Sequence, residues 1–451
     1  MKKVSSLINN FFFNIDGLLF ASLSLIILIG CFAIYSATGA DSLYSRYISV
    51  QMAAIFIGLL MMLVLTNFNY KNFANLDKFI YGLSILLLVS VLIFGTTIKG
   101  TKGWFNLGIV FFQPVEIAKI LYILVLSSFL SKMGSNVKKI KVVSFSFLIL
   151  LSHLILIMMQ PDFSSTLSYF PITIIMLFIA GVRFRYLLVI IIFGCIAAGV
   201  PLMMAFFKFH NIVVENSSLF IRVLFSLQDG ITWLYMTIAF AVAIVIIWWF
   251  CKKLMLRAPM SYIIILALAI LMGCIASGFV EKSIKDYQKK RLVVFLDPTI
   301  DQRGSGYNIV QSKITIGSGG FLGKGFKHGT QTHLGFLPEQ HTDFIFSVIG
   351  EEGGWLVSQL TILLYFIFLW RALVIGRNAK DSFGSFAATG IVAMFGFYAF
   401  INIGMVMGIM PVTGVPLLFI SYGGSSIISS FFAVGILCSI NMRKHTNYKT
   451  A

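Results

Sequence analysis

Residues 17–37 read GLLFASLSLIILIGCFAIYSA, a continuous run of apolar, small and aromatic residues without a charged side chain. A membrane-spanning α-helix needs about 20 such residues, because the hydrocarbon core of a bilayer is about 30 Å thick. The run is therefore long enough to cross a membrane as one helix. Runs of similar length recur through the rest of the chain.

The composition of the whole chain agrees with this first run. Of its 451 residues, 59% are hydrophobic, 15% aromatic and 11% charged. Because globular chains carry about 25% charged residues, a soluble multidomain enzyme, a disordered chain and a disulfide-stapled secreted domain are excluded. We therefore predict an all-α polytopic membrane protein. Its spans, about twelve in number, are expected near 17–37, 48–68, 79–96, 114–131, 142–159, 167–182, 187–207, 231–250, 260–279, 354–375, 386–407 and 424–442.

The chain carries 34 Lys and Arg against 16 Asp and Glu. In a soluble protein this excess of basic residues would suggest binding to nucleic acid. Here we expect no nucleic-acid partner and attribute the excess to the orientation of the chain in the membrane. Basic residues such as Lys138, Lys139 and Lys141 gather in the short loops of one side, which predicts that both termini lie in the cytoplasm. Most acids fall on the outer side, so we expect the chemistry there. The alternative is that acids are merely excluded from inner loops.

The one long outer loop spans residues 280–353 and is rich in glycine. A phosphate-binding loop is excluded, because Gly325 stands where that motif requires Ser or Thr after Lys324. Its histidines do not form a zinc motif, and we predict no resident metal site. Within the loop, Asp297 and Asp301 could act as a general base or help hold a divalent cation. In isolation, the same two acids are equally typical of a solvated turn.

Ionisable residues inside apolar spans are candidates for function, since each costs a few kcal/mol to insert. Glu116 and Lys119 lie three residues apart on one helical face, and the alternative is an ion pair that only neutralises itself. Asp162 begins another span, where a helix cap is the alternative. The segments 410–416 and 420–426 place Pro and Gly at membrane depth, which favours irregular backbone lining a cavity over an ordinary loop.

Four segments together resemble the SEDS family (shape, elongation, division and sporulation) of membrane glycosyltransferases. They are KGTKGWFNLGIVFFQPVEIAK at 99–119, QPDFSST at 160–166, the block 295–352 that begins FLDPTID, and MPVTGVPLLFISYGGSS at 410–426. The long block is more similar to elongation members than to division members. The resemblance covers most of the chain outside 183–258.

The resemblance implies a single transmembrane domain over 1–451 that polymerises lipid II into glycan strands during cell elongation and rod-shape maintenance. It implies an active site on the periplasmic face of the cytoplasmic membrane, with 280–353 as the catalytic loop and a class B penicillin-binding protein as transpeptidase partner. Family members usually have ten spans, so the extra pair within 183–258 is an insertion or a misreading of the hydropathy. Phe111 also replaces a usual Arg.

The resemblance also assigns roles to residues. Asp301 matches the essential acid of the family, and we expect it to activate the acceptor hydroxyl. Lys119, together with Lys99, Lys102 or a divalent cation such as Mg or Mn, would stabilise the departing diphosphate. The family's other polar positions, expected to bind substrate, are Trp104, Gln113, Glu116, Lys119, Asp162, Glu339, His341, Asp343, Ser421 and Ser425.

Two other functions stay open from the sequence. A flippase or transporter of lipid-linked precursors would use Glu116, Lys119 and Asp162 as a relay within the membrane. A non-catalytic scaffold of the wall-synthesis complex would not depend on Asp301.

Overall fold

The computed structural model describes residues 16–38, 42–98, 100–106, 108, 111–210, 239, 242–243, 246, 248–250, 253, 260–283, 286–301 and 304–444. These residues form two compact units. The first unit contains the described residues up to Val182 and from Tyr307 onward, and the second contains those from Arg183 to Gly306.

Both units are mainly helical. In chain order the helices are α1 (Gly17–Ala37), α2 (Ser42–Asn67), α3 (Lys71–Asn75), α4 (Asp77–Phe94), α5 (Pro114–Met133), α6 (Ile140–Met159), α7 (Phe163–Ile179), α8 (Phe184–Phe209), α9 (Met260–Ser283), α10 (Asp286–Val293), α11 (Ser305–Ser318), α12 (Thr330–His333), α13 (Ile345–Arg377), α14 (Ser382–Val406) and α15 (Gly424–Met442). Two 3₁₀ turns occupy Gly134–Lys138 and Pro298–Asp301.

Within the described residues, nine helices are long and apolar enough to cross a membrane. This confirms the prediction of an all-α polytopic membrane protein. Two shorter apolar helices, Phe163–Ile179 and Ala267–Gly278, coincide with the spans predicted at 167–182 and 260–279. Most of the span predicted at 231–250 lies outside the described residues.

Acidic side chains mark the starts of three of these helices. Asp16 accepts a hydrogen bond from Leu19 N at 3.0 Å, and Asp381 accepts one from Gly384 N at 2.8 Å. Asp162 caps α7 in the same way. A carboxylate here satisfies a backbone N–H that lacks a partner inside the helix. Helix α5 begins instead with Pro114, whose missing N–H costs nothing in the first turn.

The segment between α4 and α5 forms a small sheet that was not predicted from the sequence. Strands β1 (Thr96–Ile98), β2 (Thr101–Asn106) and β3 (Phe111–Phe112) pair antiparallel in the order β1-β2-β3. The backbone N–H of Lys102 donates to the Gln160 carbonyl at 3.2 Å, which joins the sheet to the end of α6. The sheet therefore holds the chain segment that leads into α5.

The long loop ends earlier than the hydropathy predicted, because α13 begins at Ile345 and not near residue 354. Gly354 has φ 65° and ψ −164°, so the helix is interrupted at this point. The glycine-rich segment packs against the interruption: Lys324 N donates to Glu351 O at 3.0 Å, and Trp355 N donates to Gly320 O at 2.9 Å. A Cβ at Gly323 (φ 80°) would overlap the Glu352 carbonyl, so the close packing of this segment requires a glycine at position 323.

Helices α5 and α15 lie at the centre of the first unit. Of their most apolar windows, 83% and 89% are buried inside the protein, against 22% for α2. Helix α5 packs against α4, α7, α14 and α15. Polar side chains on α5 therefore contact other residues of this protein, and the candidate site includes this helix.

Candidate active site

Gln113, Asp162 and Ser425 come from three separate motifs and meet at the start of α5. The Gln113 side-chain amide donates to Asp162 Oδ2 at 3.0 Å, and the Gln113 backbone N–H donates to Ser425 Oγ at 2.9 Å. Ser425 in turn donates to the Phe111 carbonyl at 3.1 Å. Side-chain bonds thus connect the entry of α5 to the starts of α7 and α15.

Glu116 and Lys119 form a buried ion pair one turn further along α5. Lys119 Nζ lies 3.2 Å from Glu116 Oε1, and the two side chains are 0% and 8% exposed. Tyr398, on α14, completes the cluster. Its hydroxyl accepts a hydrogen bond from Lys119 and lies 3.4 Å from Glu116 Oε1 as a donor. Lys119 Nζ also lies 4.5 Å from the centroid of the Tyr398 ring.

Asp162 is buried, and the charges of Lys119 and Glu116 act on it. Burial raises the pKa of Asp162 above its ordinary value, although hydrogen bonds from Ser165 act in the opposite direction, as does the charge of Lys119. Ser165 N donates to Oδ1 at 3.0 Å and Ser165 Oγ donates to Oδ2 at 2.8 Å. The hydrogen bond from Ser165 N confirms that Asp162 caps α7. The hydrogen bond from the Gln113 side chain is a second contact of the same carboxylate.

His341 and Ser421 lie in two loop segments that the structure brings together. The Tyr422 N–H donates to the His341 carbonyl at 2.9 Å, and the Tyr47 ring lies 4.8 Å from His341 and 4.9 Å from Tyr422. Gln51 fastens the second segment, because its amide donates to the Ser421 carbonyl at 3.3 Å. Ser421 Oγ accepts from Leu417 N at 2.8 Å, which makes it part of a buried turn.

Three further predicted residues are placed by hydrogen bonds or by strand pairing. Glu339 has φ 54°, and its Oε2 accepts from Thr342 Oγ1 at 3.1 Å. The Asp343 carbonyl accepts from the Asn402 amide on α14 at 2.8 Å. Trp104 is half-buried on β2, opposite Thr96 on β1.

Asp301 belongs to the second unit. It ends the 3₁₀ turn Pro298–Asp301, is half-buried, and its Oδ2 accepts from Ser305 N at 2.9 Å and from Ser305 Oγ at 3.1 Å. These bonds cap the start of α11. Oδ1 has no hydrogen-bond partner among the described residues, and a carboxylate held by one oxygen can still accept a proton at the other.

Tyr398, Asn402 and Gln51 also belong to the site, although the sequence did not predict them. Each has a polar hydroxyl or amide group within an otherwise apolar span. This feature could have identified them, because such a group needs a protein partner inside a membrane. Glu351, for which the sequence predicted no role, is fully buried and accepts from Lys324 Nζ at 2.8 Å and from Thr332 Oγ1 at 2.6 Å.

Chemically, the arrangement offers a locally held carboxylate at Asp301 and, separately, a buried and hydrogen-bonded polar core around α5. In the part of the chain that the structure describes, no three His, Cys, Asp or Glu residues are grouped to hold a metal ion. The fully buried Lys119 ammonium is shared between Glu116 and Tyr398, and its contact with a diphosphate stays a prediction.

Comparison with known proteins covers almost the whole chain. The profile of the family described as cell cycle protein, FtsW/RodA/SpoVE, matches residues 16–221 and 231–446. The peptidoglycan glycosyltransferase RodA of Treponema pallidum is 34% identical over 440 residues, which cover 95% of this chain and 98% of that relative. The peptidoglycan glycosyltransferase MrdB of Escherichia coli is 31% identical over 432 residues, which cover 96% and 94%.

Two solved structures share the fold. One, from work on the coordination of polymerization and crosslinking by a peptidoglycan synthase complex, gives a TM-score of 0.64 at 23% identity and covers 95% of this chain and 98% of that one. The other is the rod shape determining protein RodA of Thermus thermophilus, with a TM-score of 0.58 at 23% identity, covering 95% and 97%. At these identities the likeness concerns the fold alone.

Proposed function

The chain belongs to the FtsW/RodA/SpoVE family of cell cycle proteins, and from this premise we propose that it is a peptidoglycan glycosyltransferase. The observation that carries the proposal is the 34% identity over 95% of the chain to a relative of that name. We propose lipid II as its substrate, and cell elongation and rod-shape maintenance as its process, because the relatives are named RodA and MrdB.

The reaction requires a sugar hydroxyl of one lipid-linked saccharide to attack the anomeric carbon of another. The C–O bond to the diphosphate breaks as the new glycosidic bond forms, and the hydroxyl proton must go to a base. We assign this base to Asp301, whose Oδ1 accepts the proton while Ser305 holds Oδ2. A positioned general base is worth about 100- to 10,000-fold in rate.

The polar core around α5 is assigned a supporting role in the same reaction. Glu116 and Lys119 lie in a helix that is buried over most of its length, and their charges are satisfied by each other and by Tyr398. We propose that this core keeps the entry of α5, with Gln113 and Asp162, in one geometry for substrate binding. We propose that Lys102 or Lys119 supplies the positive charge that stabilises the departing diphosphate.

The distribution of Lys and Arg in the loops supports a periplasmic site in the cytoplasmic membrane, with both termini inside. We interpret the segment from residue 280 to the start of α13 at Ile345 as the catalytic loop, and 183–258 as the segment that carries two additional spans. A class B penicillin-binding protein is the proposed transpeptidase partner, because one structural neighbour comes from a peptidoglycan synthase complex.

Polymerisation of fluorescent lipid II by the purified full-length chain tests the assignment. We expect the Asp301→Asn and Asp301→Ala variants to lose at least about 100-fold in initial rate, with glycan products resolved on a gel. The matched control is Asp77→Asn, which removes a carboxylate paired with Lys132 outside this loop and should stay within about twofold of wild type.

Two outcomes would reject the proposal. Full activity of Asp301→Asn would reject Asp301 as the base. Translocation of lipid II across vesicles by the wild-type chain, without any polymer formed alone or with its transpeptidase, would favour a carrier.

A further inference from the structure

Residues 321–326, which we call the loop tip, read FLGKGF and lie in the long hydrophilic loop. Their large apolar side chains are nevertheless on the surface. Leu322 is 76% exposed, more than any other large apolar side chain in the described residues, and Phe321 and Phe326 are exposed as well. A contiguous apolar surface of this kind marks a place where something other than water makes contact.

The backbone of the loop tip is bonded to the interruption of α13 at Gly354. In an unbroken α-helix, Leu356 N would donate to Glu352 O. Here Leu356 N donates to Phe321 O at 3.2 Å, and Glu352 O accepts from Gly325 N at 3.0 Å. The loop tip thus replaces the helical partner of each group. Irregular backbone is tolerated at membrane depth only where the protein satisfies its polar groups, and the loop tip meets this condition.

Aromatic rings join the loop tip to α1 and α13. The Phe321 ring is stacked on Trp355 of α13, with the centroids 5.3 Å apart. The Phe326 ring lies 5.8 Å from Phe32 and 6.1 Å from Tyr35, both on α1. Phe32, Tyr35 and Trp355 are themselves exposed side chains of helices long and apolar enough to cross a membrane. The loop tip therefore continues the surface that these two helices present to the bilayer.

The depth of the loop tip follows from the lengths of α1 and α13. Asp16 forms an ion pair with Arg371, which joins the start of α1 to the last turns of α13. Phe32 lies 16 residues from Asp16 along α1, and Trp355 lies 16 residues from Arg371 along α13. At about 1.5 Å per residue, both rings are about 24 Å from the ion pair. Because charges belong at the edge of a hydrocarbon core about 30 Å thick, both rings lie just inside its opposite edge.

Lys327 follows the loop tip and lies at its polar side. Its backbone has φ 60°, and its Nζ lies 4.0 Å from the centroid of the Tyr35 ring. Tyr35 is one helical turn nearer the edge of the core than Phe32. Tyrosine and lysine are typical of the boundary between acyl chains and headgroups, because each has an apolar body and a polar end.

Lys324 is the one charged residue of the loop tip, and a free charge would oppose contact with lipid. Its Nζ lies 2.8 Å from Glu351 Oε1 and donates to Thr330 Oγ1 at 2.7 Å. Glu351 is fully buried. The Lys324 charge is therefore compensated within the protein.

We propose that the loop tip inserts into the lipid leaflet on the side of the long loop, with Phe321, Leu322 and Phe326 among the acyl chains and Lys327 at the lipid phosphates. The partner is the phospholipid bilayer, because the loop tip is continuous with the lipid-facing surfaces of α1 and α13. The contact sets the height of the loop above the membrane. The inference does not depend on the proposed activity, and its test involves no turnover.

The rate at which a thiol reacts with a charged maleimide tests the insertion. The full-length Leu322→Cys chain is placed in phospholipid nanodiscs without a partner protein, and peptide mass spectrometry separates this thiol from the native cysteines. The controls are Phe366→Cys, at an exposed position within the α13 span, and Asn378→Cys, at an exposed position after its end. Each rate is divided by the rate in SDS.

We expect Leu322→Cys to react at least about tenfold more slowly than Asn378→Cys, because a charged reagent is excluded from lipid as a charged side chain is. Its rate should lie within about threefold of that of Phe366→Cys. Phe326→Cys should behave in the same way. Equal rates for Leu322→Cys and Asn378→Cys would overturn the insertion. Fast reaction that slows only when a transpeptidase is added would also overturn it and would assign the surface to a protein partner.

Photocrosslinking measures the lipid contact directly. Leu322→p-benzoyl-phenylalanine in the same nanodiscs should give, after irradiation, a peptide that carries the mass of one phospholipid. The same replacement at Phe366 should give this adduct, and at Asn378 it should give none. A lipid adduct at position 366 without one at position 322 would overturn the proposal.

Discussion

Glu116 and Asp301 are both predicted site carboxylates, yet they are held in different ways. The Glu116 side chain is 8% exposed, and its hydrogen-bond partner Tyr398 lies 282 residues away in the sequence. Asp301 is half-buried, and its two hydrogen-bond donors both belong to Ser305, four residues away. The first is an element of tertiary structure, and the second is a local cap.

The two carboxylates illustrate two different roles that a charged side chain can have in a membrane protein. A charge without contact to water must be matched by an opposite charge and by hydrogen bonds, and loss of one partner leaves the other uncompensated. A carboxylate with local partners and partial solvent contact contributes little to the fold. The same substitution should therefore damage stability at the Glu116 cluster and catalysis at Asp301.

The largest effect on stability is expected from Lys119→Met. This change keeps much of the side-chain volume but leaves Glu116 buried without a counter-charge, so we expect a loss of about 3–5 kcal/mol in the free energy of unfolding. Unfolding of the purified protein in mixed micelles with an increasing SDS fraction measures it.

The matched control for this substitution is the double variant Glu116→Gln with Lys119→Met, which removes both charges. It should recover a large part of the loss, since two neutral groups no longer require each other. If the single variant is as stable as wild type, the cluster is not a structural ion pair and the contrast with Asp301 is wrong.

A smaller effect is expected from Tyr398→Phe. The variant keeps the ring beside Lys119 but removes a hydroxyl that bonds to both charges, and hydrogen bonds to charged groups contribute about 1.5–3 kcal/mol. Tyr81→Phe is the control, because Tyr81 donates to the neutral Ser152 hydroxyl at 3.0 Å and its loss should cost about 1 kcal/mol or less. Equal losses from the two variants would show that the charges around Tyr398 add nothing.

The helices of the fold followed from the sequence where hydropathy was the deciding property. Predicted spans at 17–37 and 424–442 coincide with Gly17–Ala37 and Gly424–Met442. The start of α13 was placed too late, because Glu351 and Glu352 lower the local hydropathy although both are buried. The sheet at 96–112 was missed because β1 and β3 have only three and two residues, and the six residues of β2, TKGWFN, do not alternate between apolar and polar.

The site followed from the sequence only where the contacts are local. The spacing of Glu116 and Lys119 predicted that they share a helical face, and they form an ion pair at 3.2 Å. Tyr398 could not be joined to them, because nothing in a single sequence links residues 279 positions apart. His210 Nε2 lies 3.1 Å from Asp297 Oδ2, and this contact, across 87 positions, could not be predicted for the same reason.

The smallest effect on stability is expected from Asp301→Asn, the variant with the largest effect on rate. The Asn side-chain oxygen can accept the same hydrogen bonds from Ser305, and Asn caps helices about as well as Asp, so the free energy of unfolding should change by less than about 0.5 kcal/mol. The SDS titration used for Lys119→Met measures this change. A loss of about 2 kcal/mol or more would mean that the Asp301 carboxylate supports the fold as Glu116 does, and the inactivity of the variant could then no longer be attributed to a missing base.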